Sequence, residues 1–222
     1  MTTMVQPRPV TPESEQEHPL LEALKARRTL LVRGGIALLV VVVGIWFYRE
    51  SGRRKAQAGS EALDRARIAA ETGNLPVASS ELQKVSQTYA GSEPGYLAVI
   101  ALNEVRLSMG QAQIAADDLR SFVGRNPPAT HAASAYALLG AASENLGKFD
   151  DAAQAYARSA ELAPEPYRQV DGMLGQARAL RLAGKAPEAL TVLRGILSRY
   201  SKETPGVAEA EVRLSELTSG AM

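Results

Sequence analysis

The longest uninterrupted apolar stretch runs from Ile36 to Tyr48, reading Ile-Ala-Leu-Leu-Val-Val-Val-Val-Gly-Ile-Trp-Phe-Tyr without a charge. Thr29-Leu-Leu-Val-Arg-Gly-Gly precedes it, and from Leu30 to Tyr48 there are 19 residues. At 1.5 Å per residue that is about 28 Å of helix, close to the roughly 30 Å hydrocarbon core of a bilayer. Residues 29–48 are therefore expected to form one transmembrane helix. Arg33 lies one turn from its N-terminal edge, where a guanidinium stem snorkels to the headgroups. Trp46, Phe47 and Tyr48 close the other end as interfacial aromatic residues. Basic clusters on both flanks argue against a buried core helix. A cleavable signal peptide fits poorly too, because Arg49, Arg53, Arg54 and Lys55 separate the apolar run from Ala56-Gln57-Ala58.

Beyond Gly59 the pattern repeats. Gly73, Gly110, Gly147 and Gly184 are spaced 37 residues apart, and Ala78, Ala115, Ala152 and Ala189 keep the same interval. Leu82, Leu119, Tyr156 and Leu193 follow as large apolar positions, then Val85, Phe122, Ser159 and Ile196. A fixed period in this range marks a solenoid of stacked units. Each unit reads as a helical hairpin. Glycine just past the first helix takes the left-handed conformation that ends it. Pro76 and Pro187 suit only the first turn of the second helix, and Asp150 and Asp151 place negative charge there. The repeated alanine marks the crossing of the two helices, where a larger side chain would push them apart.

Units are expected at about 59–92, 96–129, 133–166 and 170–203, with a capping helix over 207–217. The fold class is all-α: a single transmembrane helix, then a solenoid of about four helical hairpins with its cap. Residues 1–28, with four prolines before Leu20 and acidic Glu13, Glu15 and Glu17, form a disordered tail and pre-anchor segment. Residues 49–58 form a basic juxtamembrane linker, and 59–222 form the repeat domain.

Charge refines this picture. The whole chain carries 25 basic and 24 acidic side chains. Residues 1–58 hold 9 Lys/Arg against 5 Asp/Glu, whereas 59–222 hold 16 against 19. The basic surplus belongs beside the apolar run, where lipid headgroups are the natural counter-charge, and the repeat domain's own sign disfavours nucleic acid. Orientation stays open on charge alone, since four Lys/Arg flank each side of the span.

Candidate chemistry is sparse. Without cysteine there is no disulfide, thiolate metal site or cysteine nucleophile. His131 is expected in the linker entering the third unit, and Asp117-Asp118, like Asp150-Asp151, as helix N-terminal charge. No catalytic, cofactor-binding or metal-ligating set is expected, nor a small-molecule substrate. Tyr89, Tyr96, Tyr136, Tyr156, Tyr167 and Tyr200 are expected mostly in the core or at seams.

The third unit resembles the tetratricopeptide repeat (TPR) through Tyr136, Leu139, Gly140, Gly147, Phe149, Ala152, Tyr156 and Pro164. The other units are degenerate, with Asn103 in place of a small residue and Ala112 and Ala186 in place of an aromatic. The resemblance implies that first helices line a peptide groove, at Arg67, Glu104, Leu107, Asn145, Arg178 and Arg181. An N-terminal tail, one span, a basic collar and divergent repeats together resemble the bacterial ancillary SecYEG translocon subunit family. That resemblance implies a non-enzymatic, chaperone-like interaction protein of the bacterial inner membrane. Its N-terminus would be cytoplasmic and its repeats periplasmic, with the Sec translocon and exported clients as partners. The rival expectation is a cytoplasm-facing scaffold that assembles another complex.

Overall fold

The computed structural model describes residues 28–219, except for some side chains in the N-terminal helix. Nine helices follow one another and no strand occurs among the described residues: α1 (Arg28–Glu71), α2 (Leu75–Thr88), α3 (Glu93–Ser108), α4 (Ala112–Val123), α5 (Ala129–Asn145), α6 (Phe149–Leu162), α7 (Pro166–Leu182), α8 (Ala186–Arg199) and α9 (Val207–Ser219). The chain divides into two units, Met1–Gly52 and Arg53–Met222.

In the first unit the expected tail over 1–27 lies outside the described residues, as do the side chains of Phe47 and Tyr48. The N-terminal part of α1 exposes Val32, Arg33, Leu38, Leu39, Val40, Val41, Val42, Val43 and Trp46. Among the described residues no helix is long and apolar enough to cross a membrane. Leu30, Leu31, Ile36 and Ile45 belong to the apolar run by sequence, but their side chains are not among those described.

The second unit is built from four hairpins closed by one device. Gly73, Gly110, Gly147 and Gly184 have φ of 80°, 73°, 70° and 77°. In the third hairpin Gly147 N–H donates to Glu144 O, while Lys148 N–H reaches back to Ser143 O. The same pair of bonds closes the other three turns. This is the Schellman arrangement, which satisfies carbonyls that the helix end would leave bare. A Cβ added at any of the four glycines would meet nothing within 4 Å. Backbone conformation, not space, selects glycine at these turns.

Packing follows the same period. Ala78, Ala115, Ala152 and Ala189 are each 0% exposed, and Leu82, Leu119, Tyr156 and Leu193 are buried beside them. Tyr156 occupies more room than its leucine counterparts. Cβ atoms at Gly140 of α5 and Gly175 of α7 would each lie 2.7 Å from its ring, so two glycines make the space for one tyrosine.

Three local expectations need correction. First helices begin at Glu93, Ala129 and Pro166, ahead of the expected unit starts, because Pro94 and Pro166 begin helices and Pro128 is an N-cap. His131 consequently sits in the first turn of α5, buried, and not in a linker. Its Nε2 is 2.9 Å from Glu93 Oε2, and its ring lies 5.1 Å from that of Tyr96. Asp117 and Asp118 fall in the middle of α4, whose first turn holds no acidic residue, while Asp150 and Asp151 do occupy the first turn of α6.

Candidate functional site: a first-helix groove with an internal ion pair

First helices form one row of the repeat unit and second helices the other. Along the first-helix row, a cavity of about 400 Å³ opens between α7 and α9 over Leu193 of α8. Arg178, Arg181 and Arg213 supply cations, Glu209 and Glu216 supply carboxylates, and Val212 and Leu217 supply apolar wall. Glu209 pairs with Arg213 along one face of α9. The cavity thus offers both charge signs around a greasy floor, a lining suited to a peptide more than to a small uniform ligand.

The residues expected to line the groove have different fates. Arg67 and Glu104 are exposed on α1 and α3. Partial removal of water raises the Glu104 carboxyl above its ordinary range, and the Arg67 charge partly offsets this. Leu107 packs against the core formed around Leu119 and Phe122. Asn145 is exposed at the end of α5. Arg178 and Arg181 share the cavity just described, but Arg178 is also engaged internally. Its Nε donates to Glu144 Oε1 at 3.0 Å, and its terminal nitrogen donates to Glu144 Oε2 at 3.1 Å and to the Tyr156 hydroxyl at 3.0 Å. The guanidinium also lies 5.5 Å from the Tyr156 ring centre. Burial, then the Glu144 charge, pushes the Tyr156 hydroxyl up to about 12.

Sequence reasoning missed Glu144 and Arg213. The signal for Glu144 lay in offset: it precedes Arg178 by 34 residues, and Ser134 precedes its partner Arg168 by the same 34. A second missed cluster fills the place of a small side chain. Asn103 is 0% exposed, and its amide donates to Val99 O at 2.9 Å and to Asp118 Oδ2 at 3.0 Å. Arg106 completes it with a 2.7 Å bond to the same Asp118 oxygen. This cluster ties α3 to α4. No group of three or more His, Cys, Asp or Glu that could hold a metal occurs among the described residues.

No protein-family model matches the chain. No curated protein matches it either. Solved structures do. A putative kinesin light chain from Podosopora anserina, with nearly identical TPR-like repeats, superposes with TM-score 0.60 at 16% identity, covering 75% of this chain and 88% of that one. A tetratricopeptide repeat protein from Parabacteroides merdae gives 0.57 at 14%, over 74% and 61%. MamA from Desulfovibrio magneticus RS-1 gives 0.52 at 18%, over 64% and 78%. At these identities the likeness concerns fold alone, and the fold is a TPR-like stack of helical hairpins.

Proposed function

We propose that the protein is a non-enzymatic interaction module, anchored to a membrane by the apolar part of α1 and holding peptides or partner proteins on its repeat unit. The observation that carries the binding half is the cavity between α7 and α9, where Arg178 and Arg181 of α7 and Glu209, Arg213 and Glu216 of α9 surround an apolar floor. The anchoring half rests on the run from Leu30 to Tyr48 and its basic flanks. Exposed Val40 to Val43 and Trp46 are costly in water and suited to lipid. Tethering raises effective concentration at the bilayer, so weak contacts suffice.

The resemblance to the ancillary SecYEG subunits supports placing the repeats outside the cytoplasm, near the export machinery. The equal basic collars support neither side, so topology is the deciding measurement. Protease added to intact spheroplasts should digest the repeat unit. Protection, with digestion only after lysis, would favour the cytoplasm-facing scaffold. Crosslinking in mild detergent should then recover translocon or client proteins; recovery of none would sink the export version.

A further inference from the structure

The gap on the other side of α7 belongs to the same first-helix row. There a cavity of about 220 Å³ opens between α5 and α7, floored by Tyr156 and Ser159 of α6. Tyr156 corresponds to Leu193, which floors the cavity between α7 and α9, so the two are equivalent places one repeat apart. Ala137 and Gly172 add no bulk to the walls, and Arg168 and Asp171 supply the charge.

One of those charges is engaged and the other is not. Arg168 donates to Ser134 Oγ of α5 and lies 3.6 Å from Glu165 on its own helix. Arg178, seven residues beyond Asp171 on the same face of α7 and about 10 Å away by helix rise, is bonded to Glu144 and Tyr156. Glu209 of α9 pairs with Arg213. Asp171 is left: it is exposed, and no described side chain bonds to it. It stands on the ridge between the two cavities, lining the first and feeling the charge of Glu209, which lines the second. Partial removal of water, then Glu209, hold its carboxyl above the ordinary range, and Arg168 offsets this only in part. With each ion pair counted as neutral, the ridge carries one negative charge. A carboxylate kept where its charge is disfavoured costs the fold stability that a bound cation would restore.

Resting on the reading of this row as a peptide groove, we infer that α7 selects for a basic side chain: a lysine or arginine of the partner peptide sits over Asp171, with its apolar neighbours in the cavities on either side. An acidic side chain would add to the repulsion between Asp171 and Glu209. A neutral one would leave that repulsion standing.

The full-length chain in mild detergent, labelled with ¹⁵N, is titrated with the acetylated, amidated heptapeptide Ala-Leu-Ala-Lys-Ala-Leu-Ala and with versions carrying Gln or Glu for Lys. Saturable shifts at Asp171, Gly172 and Glu209 are expected with the Lys peptide, with binding about fivefold weaker for Gln and weaker again for Glu. Asp171→Asn should bring the Lys peptide down to the Gln level and leave the Gln peptide unchanged. The same substitution should raise the thermal midpoint of the free chain, because the charge it removes has no partner to lose. Equal binding of the Lys and Gln peptides, or a Lys preference kept in Asp171→Asn, would overturn the selection while leaving the groove standing. A lowered midpoint in Asp171→Asn would overturn it too, by exposing an internal partner. Absence of saturable shifts with every peptide would overturn both this inference and the groove.

Discussion

Arg178 of α7 closes on Glu144 of α5 at 3.0 Å, and both reach the hydroxyl of Tyr156 on α6, the helix between them. Three consecutive helices are joined by one charged cluster whose aromatic member is buried. Glu144 keeps little contact with water, so removing Arg178 strands a carboxylate beside a phenol. Arg178→Ala should cost about 1–3 kcal/mol in thermal or urea unfolding. In a double-mutant cycle with Glu144→Gln the two losses should be clearly less than additive. Independent losses would mean that the pair contributes nothing as a pair.

Tyr156 also gives the fold a dependence on alkaline pH. Its hydroxyl is raised to about 12 in the native chain, above the ordinary value near 10, so the folded state holds that proton more tightly. The resulting stabilisation is complete below pH about 10 and is lost as pH rises through about 12. Ultraviolet titration at phenolate wavelengths should show one tyrosine ionising last, and Tyr156→Phe should remove that step. Were all tyrosines to titrate together near 10, the burial described for this ring would be wrong.

The glycines around that ring make a sharper test. Gly140→Ala places a methyl 2.7 Å from the Tyr156 ring, so it should destabilise by about 1–3 kcal/mol. The first and fourth hairpins carry Ala66 with Leu82 and Ala177 with Leu193 at these places, all buried. In a Tyr156→Leu background, Gly140→Ala should therefore cost much less. The same penalty in both backgrounds would show that the ring does not fill the space.

A different mechanism governs the turn glycines. Gly147→Ala meets no neighbour, but forces a side chain to φ 70°. The expected loss is about 1–2 kcal/mol, with Gly147→Asn losing less. A thermal midpoint untouched by the alanine would contradict the closure assigned to these turns.

The 37-residue period was readable because backbone conformation at Gly73, Gly110, Gly147 and Gly184 admits almost no other residue, and because a helix crossing selects alanine. Partners between units were harder to read. Comparing equivalent positions pairs residues 37 apart, whereas Glu144 and Arg178 are one helical turn short of that, since successive first helices meet slightly out of step. His131 was misplaced because the two prolines before it read as a linker, when Pro128 in fact opens a helix at once. Asn103 read as a departure from the pattern; its partners, the Val99 carbonyl, Asp118 fifteen residues on and Arg106, make a buried amide tolerable.

Membranes washed with alkaline carbonate should retain the full chain, and replacing Val41 and Val42 with lysines should release it, since each charge at mid-bilayer costs about 2.5–3.5 kcal/mol. Release of the unaltered chain would remove the anchoring proposal and leave the groove untouched.

Tyr156 has one more consequence, for how such an array can be rearranged. Its ring is lodged between glycines borrowed from its own hairpin and from the next. Ala101 and Leu138 stand at the place of Gly175 in the second and third hairpins, so a copy of either cannot be pasted after the third freely. Duplication or shuffling would have to move Gly175 along with it. The order of the units is thereby written into a single aromatic residue, in a fold whose members otherwise look interchangeable.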